Sequence, residues 1–485
     1  MTLPRSMTDV LVVGSGPAGM AAAAQAAAAG LSVTLVDERV TLGGQIFKRM
    51  GPGFELQDPR EIGRDYAAGS RLIAAVASAE TEVRLETSVL AIEGMTAIVC
   101  ERESATSTIE ARRIILAPGA YDRPVAFPGW TLPGVLTAGG AQTLVKTQRV
   151  LPGNRVVFAG SGPVALAFPA QLHHYGANIA LVCEAGPAPG LADVAALLKA
   201  APGNLSMLRD AVGYRYELLR ARIPLRYGRI VVAAEGDGHV ESVLHAAVDR
   251  DWRVIPGTEE RIACDMLCLG YGFLPSVELL RLAGCALEED EDRGGAVARL
   301  DQWMRTSVDG IHAVGDGTGV EGSLVAIDEG RLAGLGVALG LGALKRERAE
   351  REARPLRRRL AQRRAFRAAL GRMHRVGAGI YELSTPETVI CRCEEVTRAA
   401  LDPALAASAD PAVVKGLTRA GMGLCQGRNC QRTIAGLIAH RHGVALGELG
   451  AANPRLPARP VPLGAIADET IEDHGFFTDA AAPRS

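Results

Sequence analysis

The chain has 485 residues, 48% of them hydrophobic and 22% charged, with a formal net charge of −1. That length allows two or three domains with cores of their own, and the near-neutral charge gives no field that would gather nucleic acid or a membrane surface. No apolar run reaches the ~18 residues of a membrane span, and no basic stretch followed by an apolar run and a cleavage site opens the chain, so the cytoplasm is the expected location.

Taken in order, Asp9 to Val13 reads as a buried strand, followed by Gly14-Ser-Gly16-Pro17-Ala-Gly19 and an Ala-rich helix from Met20 to Ala29. Gly30 ends that helix, and Leu31 to Val36 is a second strand that stops at Asp37. Glycines in this strand–turn–helix context let the backbone approach a dinucleotide diphosphate, with the helix N-terminus stabilising its charge. Asp37 falls 18 residues after Gly19, close to where an acid meets the ribose hydroxyls, with Glu38 as the neighbouring candidate. Arg155 to Ala159 repeats the pattern with Gly160-Ser-Gly162-Pro-Val-Ala165, a helix to Tyr175 and a strand from Asn178 to Val182. Here the acid position falls on Cys183, and Glu184 stands one residue later. The second unit is therefore expected to keep the fold, with its nucleotide open between NAD(P) and a structural ADP or ATP.

Leu42-Gly43-Gly44-Gln45-Ile46, Ile114-Ile-Leu-Ala117-Pro118-Gly119, Leu267 to Ser276 and Gly315-Asp316-Gly317 resemble the segments of the glutathione-reductase-like flavoproteins with two dinucleotide-binding domains. The resemblance implies an α/β fold with the second Rossmann-like domain inserted in the first. It implies FAD at Gly14, Gly16, Pro17, Gly19, Asp37 or Glu38, Gly43, Gly44, Gln45, Ala117, Gly119, Gly315 and Asp316. It places the second nucleotide at Gly160, Gly162 and Glu184. Pro118 departs from the Thr usual in that class. No redox cysteine pair follows Gly44 or lies between residues 120 and 180, so dithiol chemistry is not expected. Neither a Ser/His/Asp triad nor a general-base cluster is visible, and no catalytic residue is assigned.

Residues 345–375 are densely basic, with loose helical spacing that Pro355 is expected to interrupt; they read as a solvated helical linker or a subunit contact. Beyond it come Cys391-Arg-Cys393 and, after a 31-residue gap, Cys425-Gln-Gly-Arg-Asn-Cys430. Four thiolates suit a [2Fe–2S] cluster, a tetrahedral zinc site or plain structural thiols. The one-residue gap is expected to let Cys391 and Cys393 share one iron. The other five of nine cysteines read as core residues rather than a disulfide framework. The Pro-rich tail reads as an extended arm on a neighbour, or as disordered.

VICRCEEV with TRAGMGLCQGRNC resembles the bacterioferritin-associated-ferredoxin-like domain, in which the four motif cysteines ligate a [2Fe–2S] cluster. Together with Gly119 to Gln142, it makes the chain resemble the larger, reductase-like (alpha) subunit of heteromeric flavin-dependent dehydrogenases: opine oxidase, hydroxyproline and proline dehydrogenases, and cyanide-forming glycine dehydrogenase. That implies an amino-acid-oxidase-like FAD partner that oxidises a C–N bond, with FMN at a subunit interface as a further cofactor. The expected domains are 8–120 with 271–342 for FAD, 121–270 for the inserted unit, 343–385 as linker, 386–445 for the cluster and 446–485 as tail.

Overall fold

The computed structural model describes residues 4–51, 53–54, 64–102 and 105–466. β1 (Arg5–Val13), α1 (Pro17–Ala27) and β2 (Val33–Val36) make the first unit. β1 begins before its apolar run because Arg5 to Thr8 already pair with Thr108 to Ala111. After α2 (Arg64–Ser78) come β3 (Glu82–Arg84), β4 (Thr87–Glu93), β5 (Thr96–Glu101) and β6 (Ala105–Leu116), giving the order β3-β2-β1-β6-β5-β4. The chain then leaves this sheet through β7 (Ala120–Asp122).

β8 (Val135–Thr137), α3 (Ala138–Gln148), β9 (Arg155–Gly160), α4 (Val164–His174) and β10 (Asn178–Glu184) open the second unit. α5 (Leu191–Lys199), α6 (Leu205–Arg220) and β11 (Leu225–Tyr227) follow, then an antiparallel sheet of β12 (Arg229–Glu235), β13 (Ser242–Ala247) and β14 (Glu260–Ala263). β15 (Met266–Gly270) completes a parallel sheet ordered β11-β10-β9-β15-β8. The chain returns through β16 (Phe273–Pro275), which pairs antiparallel with β7, so the way out and the way back form one ribbon. α7 (Glu278–Leu282) and the hairpin β17 (Leu287–Asp290) and β18 (Gly295–Ala298) lead to β19 (Ile311–Ala313), which docks on β6. The inserted arrangement is thus an observed feature of the sheet pairing.

α8 (Ser323–Gly340) packs on α1. The alanines of α1 and the glycines of α8 are there for this: a Cβ on Gly330 would lie 2.1 Å from the Ala18 carbonyl oxygen, and one on Gly334 would lie 2.7 Å from Gln25 Cβ. Only small residues let two helices approach so closely. α9 (Arg346–Met373) corrects the linker expectation. It is one continuous helix despite Pro355, and Leu356, Leu360, Phe366 and Ala369 are buried beneath it. Its arginines reach acids on and beside α8. Arg359 meets Asp328 at 2.8 Å and Arg364 meets Glu321 at 3.0 Å, while Arg363 also pairs with Asp328 and Arg364 with Glu329. A buried carboxylate needs such partners, so Arg359, Arg363 and Arg364 complement acids on and beside α8, while Arg346, Arg348, Arg351, Arg354 and Arg358 stay on the solvated face.

The C-terminal region has β20 (Val389–Cys391), β21 (Val396–Thr397), α10 (Arg398–Ala407), α11 (Pro411–Thr418) and α12 (Gln431–His442). One apolar core runs from Phe127, Trp130 and the β12–β14 sheet into Ile390, Leu401, Leu437 and Ile438, so this region does not stand apart. Trp130 fastens it by donating Nε1–H to the Val389 carbonyl at 2.6 Å. Residues 451–460 lie on the chain itself, which corrects the expected arm. Ala458 N–H donates to Leu90 O at 2.7 Å, and Arg281 donates to the Ala451 and Ala452 carbonyls. The acidic end of the tail falls outside the described residues. No helix of the described residues is long and apolar enough to cross a membrane.

Candidate functional site

A cavity of about 750 Å3 runs between the two glycine turns. At one end are Gly14, Gly16, Pro17, Asp37, Glu38, Gly44, Gln45, Ala117, Gly119, Gly315 and Asp316; at the other are Ser161, Gly162, Pro163 and Val164. The first turn is built so that its glycines do different things. A Cβ on Gly14 would lie 2.2 Å from the Ala117 oxygen, and one on Gly19 would lie 1.8 Å from the Gly14 oxygen, so both are packed against backbone. A Cβ on Gly16 would meet nothing within 4 Å. That open face, at the N-terminus of α1, is the cradle that a diphosphate would fill. Gly43 and Gly44 fold back on it: the Gly43 N–H donates to Ser15 O at 3.1 Å, and a Cβ on Gly44 would sit 2.6 Å from Gly16 Cα. Both glycines have positive φ, of 120° and 60°.

Asp37 is placed differently from a free ribose acceptor. One of its oxygens accepts from Ser15 N–H and Oγ–H at 2.6 and 2.7 Å, and the other from Arg39 N–H at 2.8 Å. It locks the turn. Glu38, beside it on the cavity wall, is paired with Arg459 of the tail at 3.1 Å and stands nearer to solvent. Gly315 lies against the start of α1, where its Cβ would be 2.8 Å from Ala18 Cβ. Asp316 caps the chain entering α8 by accepting from Glu321 and Gly322 N–H at 3.2 Å each, while burial pushes its carboxyl pKa up. Pro118 takes up its position against Gly317, whose Cβ would be 2.7 Å from the proline Cγ.

Three residues in or beneath the cavity had no role in the sequence reading. Glu329 lies under the Gly315 turn and accepts its N–H at 2.8 Å; burial raises its carboxyl to about 7 against the pull of Arg364. Its signal was an acid in an otherwise apolar helix. Lys48 donates to the Gly139 carbonyl at 3.0 Å and to Thr143 Oγ1, and burial lowers its ammonium to about 7 with help from Arg39 and Lys146. Asp122 accepts from Thr137 Oγ1 at 2.9 Å and from Gly139 N–H at 3.1 Å at the start of α3. Lys48 and Asp122 thus join the first unit and the crossing ribbon to the second unit.

At the second turn the loop amides are already engaged by the chain itself. Glu184 accepts from Gly162 N–H at 3.0 Å and Gly186 N–H at 2.9 Å and is almost wholly buried. His374, just after α9, lies 3.7 Å from Glu184 and 3.5 Å from Ser161 Oγ. Gly160 leaves no room on the sheet side, since its Cβ would be 2.3 Å from the Gly270 oxygen.

The four C-terminal thiols meet as two pairs across the motifs rather than within them. Cys391 lies beside Cys430 and Cys393 beside Cys425, and Cys430 also feels the charge of Cys393 and Cys425. Cys391 ends β20 and is buried, while Cys393 sits in the turn after it and is exposed. Cys391 Sγ accepts from Gly421 N–H at 3.4 Å. The hydrogen bond from Cys430 holds the Cys391 thiol low, at about 5, and drives that of Cys430 well up. Among the described residues, no three His, Cys, Asp or Glu side chains form a group that could hold one metal ion. The remaining five cysteines are buried and form no disulfide.

The cysteine loop abuts the cavity. Arg428, between Cys425 and Cys430, lines it and lies 3.4 Å from Glu278, to which Tyr121 also bonds at 3.5 Å. Cys425 is close enough to Tyr121 to act on its phenol, which burial keeps protonated.

The family model for pyridine nucleotide-disulphide oxidoreductases matches residues 8–330, and that for the sarcosine oxidase A3 domain matches residues 386–469. Hydrogen cyanide synthase subunit HcnB of Pseudomonas protegens is 35% identical, over 96% of this chain and 99% of the relative. An opine oxidase subunit of Rhizobium meliloti is 32% identical, over 96% and 99% respectively. Among solved structures, L-proline dehydrogenase from P. horikoshii superposes with a TM-score of 0.68 at 22% identity, covering 96% of this chain and 81% of that one. A T. acidophilum thioredoxin reductase superposes with a TM-score of 0.52 at 21% identity, over 69% of this chain and 99% of that one.

Proposed function

We propose a function for a chain that belongs to the pyridine nucleotide-disulphide oxidoreductase family: the electron-transferring subunit of a heteromeric dehydrogenase for amino acids, imino acids or opines. FAD occupies the first glycine turn, held by the Gly16 face, Glu38 and Asp316. A [2Fe–2S] cluster is held by Cys391, Cys393, Cys425 and Cys430. The partner is an amino-acid-oxidase-like flavoprotein that oxidises a C–N bond, with FMN at the interface as a further carrier. The relatives named as subunits of hydrogen cyanide synthase and opine oxidase support that setting.

The observation that carries the reading is the junction of the cysteine loop and the cavity through Arg428, Glu278 and Tyr121. FAD supplies two-electron chemistry and the cluster one-electron chemistry, so adjacent sites make a relay. The chain's own residues fix the distance between them and hold the loop by ionic contact. Two thiol pairs, rather than three or four ligands around one point, support a binuclear cluster over a single zinc. His374 and Glu184 across the second turn argue against pyridine nucleotide as the working reductant.

Anaerobic purification of the chain, with extracted cofactors identified by mass and iron and sulfide assayed, tests this. FAD with matching iron and sulfide, and no bleaching by NAD(P)H, is the expected result. Zinc in place of iron, or rapid bleaching by NAD(P)H, would sink the relay assignment.

A further inference from the structure

Every inward arginine of α9 is matched to an acid except one. Arg359 and Arg363 take Asp328, and Arg364 takes Glu321 and Glu329. Arg367, one turn further on, lines the cavity beside Asp316. Its Nη2 donates to the Val320 carbonyl at 3.2 Å, but its Nε is shut off from solvent and has no hydrogen-bond partner. Among the described residues no carboxylate lies within ion-pair distance of it. Asp316 spends one oxygen on two backbone N–H groups, and Glu321 is already held by Arg364 and Arg293. Burial holds the Arg367 pKa below the usual guanidinium value, yet the group stays cationic.

A desolvated guanidinium with a donor unused is costly unless an anion completes it. The neighbouring wall says where that anion comes from. Gly315, the residue before Asp316, touches Ala18 at the N-terminus of α1, next to the open face of Gly16. We infer that Arg367 is a ligand for a phosphate oxyanion of the dinucleotide bound at the first glycine turn, so the basic helix is part of the cofactor site. Charge-assisted bonds to phosphate from both the α1 N-terminus and Arg367 fix the diphosphate from two sides. The inference rests on the FAD reading above. A phosphate of a mononucleotide at the second turn has the same chemistry, and the test separates the two.

The test titrates FAD, riboflavin and ADP into the full chain freed of nucleotide, with flavin fluorescence for the first two and calorimetry for the third. Arg367→Gln is expected to weaken FAD by roughly tenfold or more and to leave riboflavin, which has no phosphate, unchanged. Arg367→Lys should fall between. Arg359→Gln removes an equal charge from α9 outside the cavity and should keep parental FAD affinity. Equal FAD affinity in parent and Arg367→Gln would overturn this assignment alone, as would an equal loss in Arg359→Gln. If only ADP affinity falls, the anion belongs to the second turn and the assignment is wrong. A parent chain that takes up no FAD overturns both this assignment and the reading it rests on.

Discussion

His312 sits in the middle of β19, opposite Ile115 of β6, with 2% of its surface exposed and neither ring nitrogen bonded. Burial, with Arg305 and Arg113 nearby, lowers its pKa from 6.5 to about 4. In the unfolded chain the imidazole takes a proton as pH falls through 6.5; in the folded chain it refuses one until about 4. The unfolded state therefore binds more protons across that window, and stability falls with pH there. At about 1.4 kcal/mol per unit, this one group costs about 2 kcal/mol at pH 5 and about 3 kcal/mol by pH 4. His312→Leu removes both the titration and two unsatisfied nitrogens at similar volume, so at pH 7.5 it should be neutral or mildly stabilising. Urea unfolding of parent and variant at pH 7.5 and pH 5.0 measures the difference between them, in which other titrating groups cancel. The gap should widen by about 2 kcal/mol in favour of the variant at the lower pH. A gap that is the same at both values would refute the reasoning about this buried imidazole.

The glycine turn offers a paired test. Gly16→Ala should fold with unchanged urea midpoint and lose FAD, whereas Gly19→Ala, whose methyl would overlap the Gly14 carbonyl, should lose about 3 kcal/mol of stability as well. Equal behaviour of the two would contradict the division between an open and a packed glycine. Asp328→Ala leaves Arg359 and Arg363 without their acid and should cost about 3 kcal/mol, near the low end for a broken buried pair because both guanidiniums can reach water; an unchanged urea midpoint would mean α9 is held by its apolar face alone. Cys425→Ser should lose iron and acid-labile sulfide together with the visible absorbance of the cluster. Retention of all three would remove Cys425 from the ligand set.

Much of the first site was legible because its causes are local. A positive φ at Gly14, close packing at Gly19 and a buried four-residue strand before Asp37 each leave a mark at fixed spacing. The order of the two units was legible for the same reason, since each strand–turn–helix repeat stands complete in the sequence. What the sequence hid was decided by pairing over long separations. Spacing put Asp37 and Glu38 side by side but did not say that Ser15 would engage the first and leave the second on the wall. Arg359, Arg363 and Arg364 read as solvated because their partners, Asp328, Glu321 and Glu329, lie in or beside another helix. The four cysteines were found by spacing, but their pairing across the motifs depends on how the Gly-rich loop folds over β20.

The docking of β19 on β6 bears on how the protein is made. These neighbouring strands are separated by the whole inserted unit and the return through β16 to β18, about 200 residues of chain. At a ribosomal pace of roughly 5–20 residues per second, β6 waits on the order of 10–40 seconds for its partner. During that time the Ile114–Leu116 end of β6, beyond its pairing with β5, is bare on one side, and bare strand edges recruit other chains. Gly315 cannot reach Ala18 until β19 has arrived, so the first pocket closes only after about two thirds of the chain is made and not with the glycine turn that announces it. A nucleotide captured at that step would stabilise the closed sheet and draw nascent chains toward it. The supply of that nucleotide therefore acts on the yield of folded protein as well as on its activity.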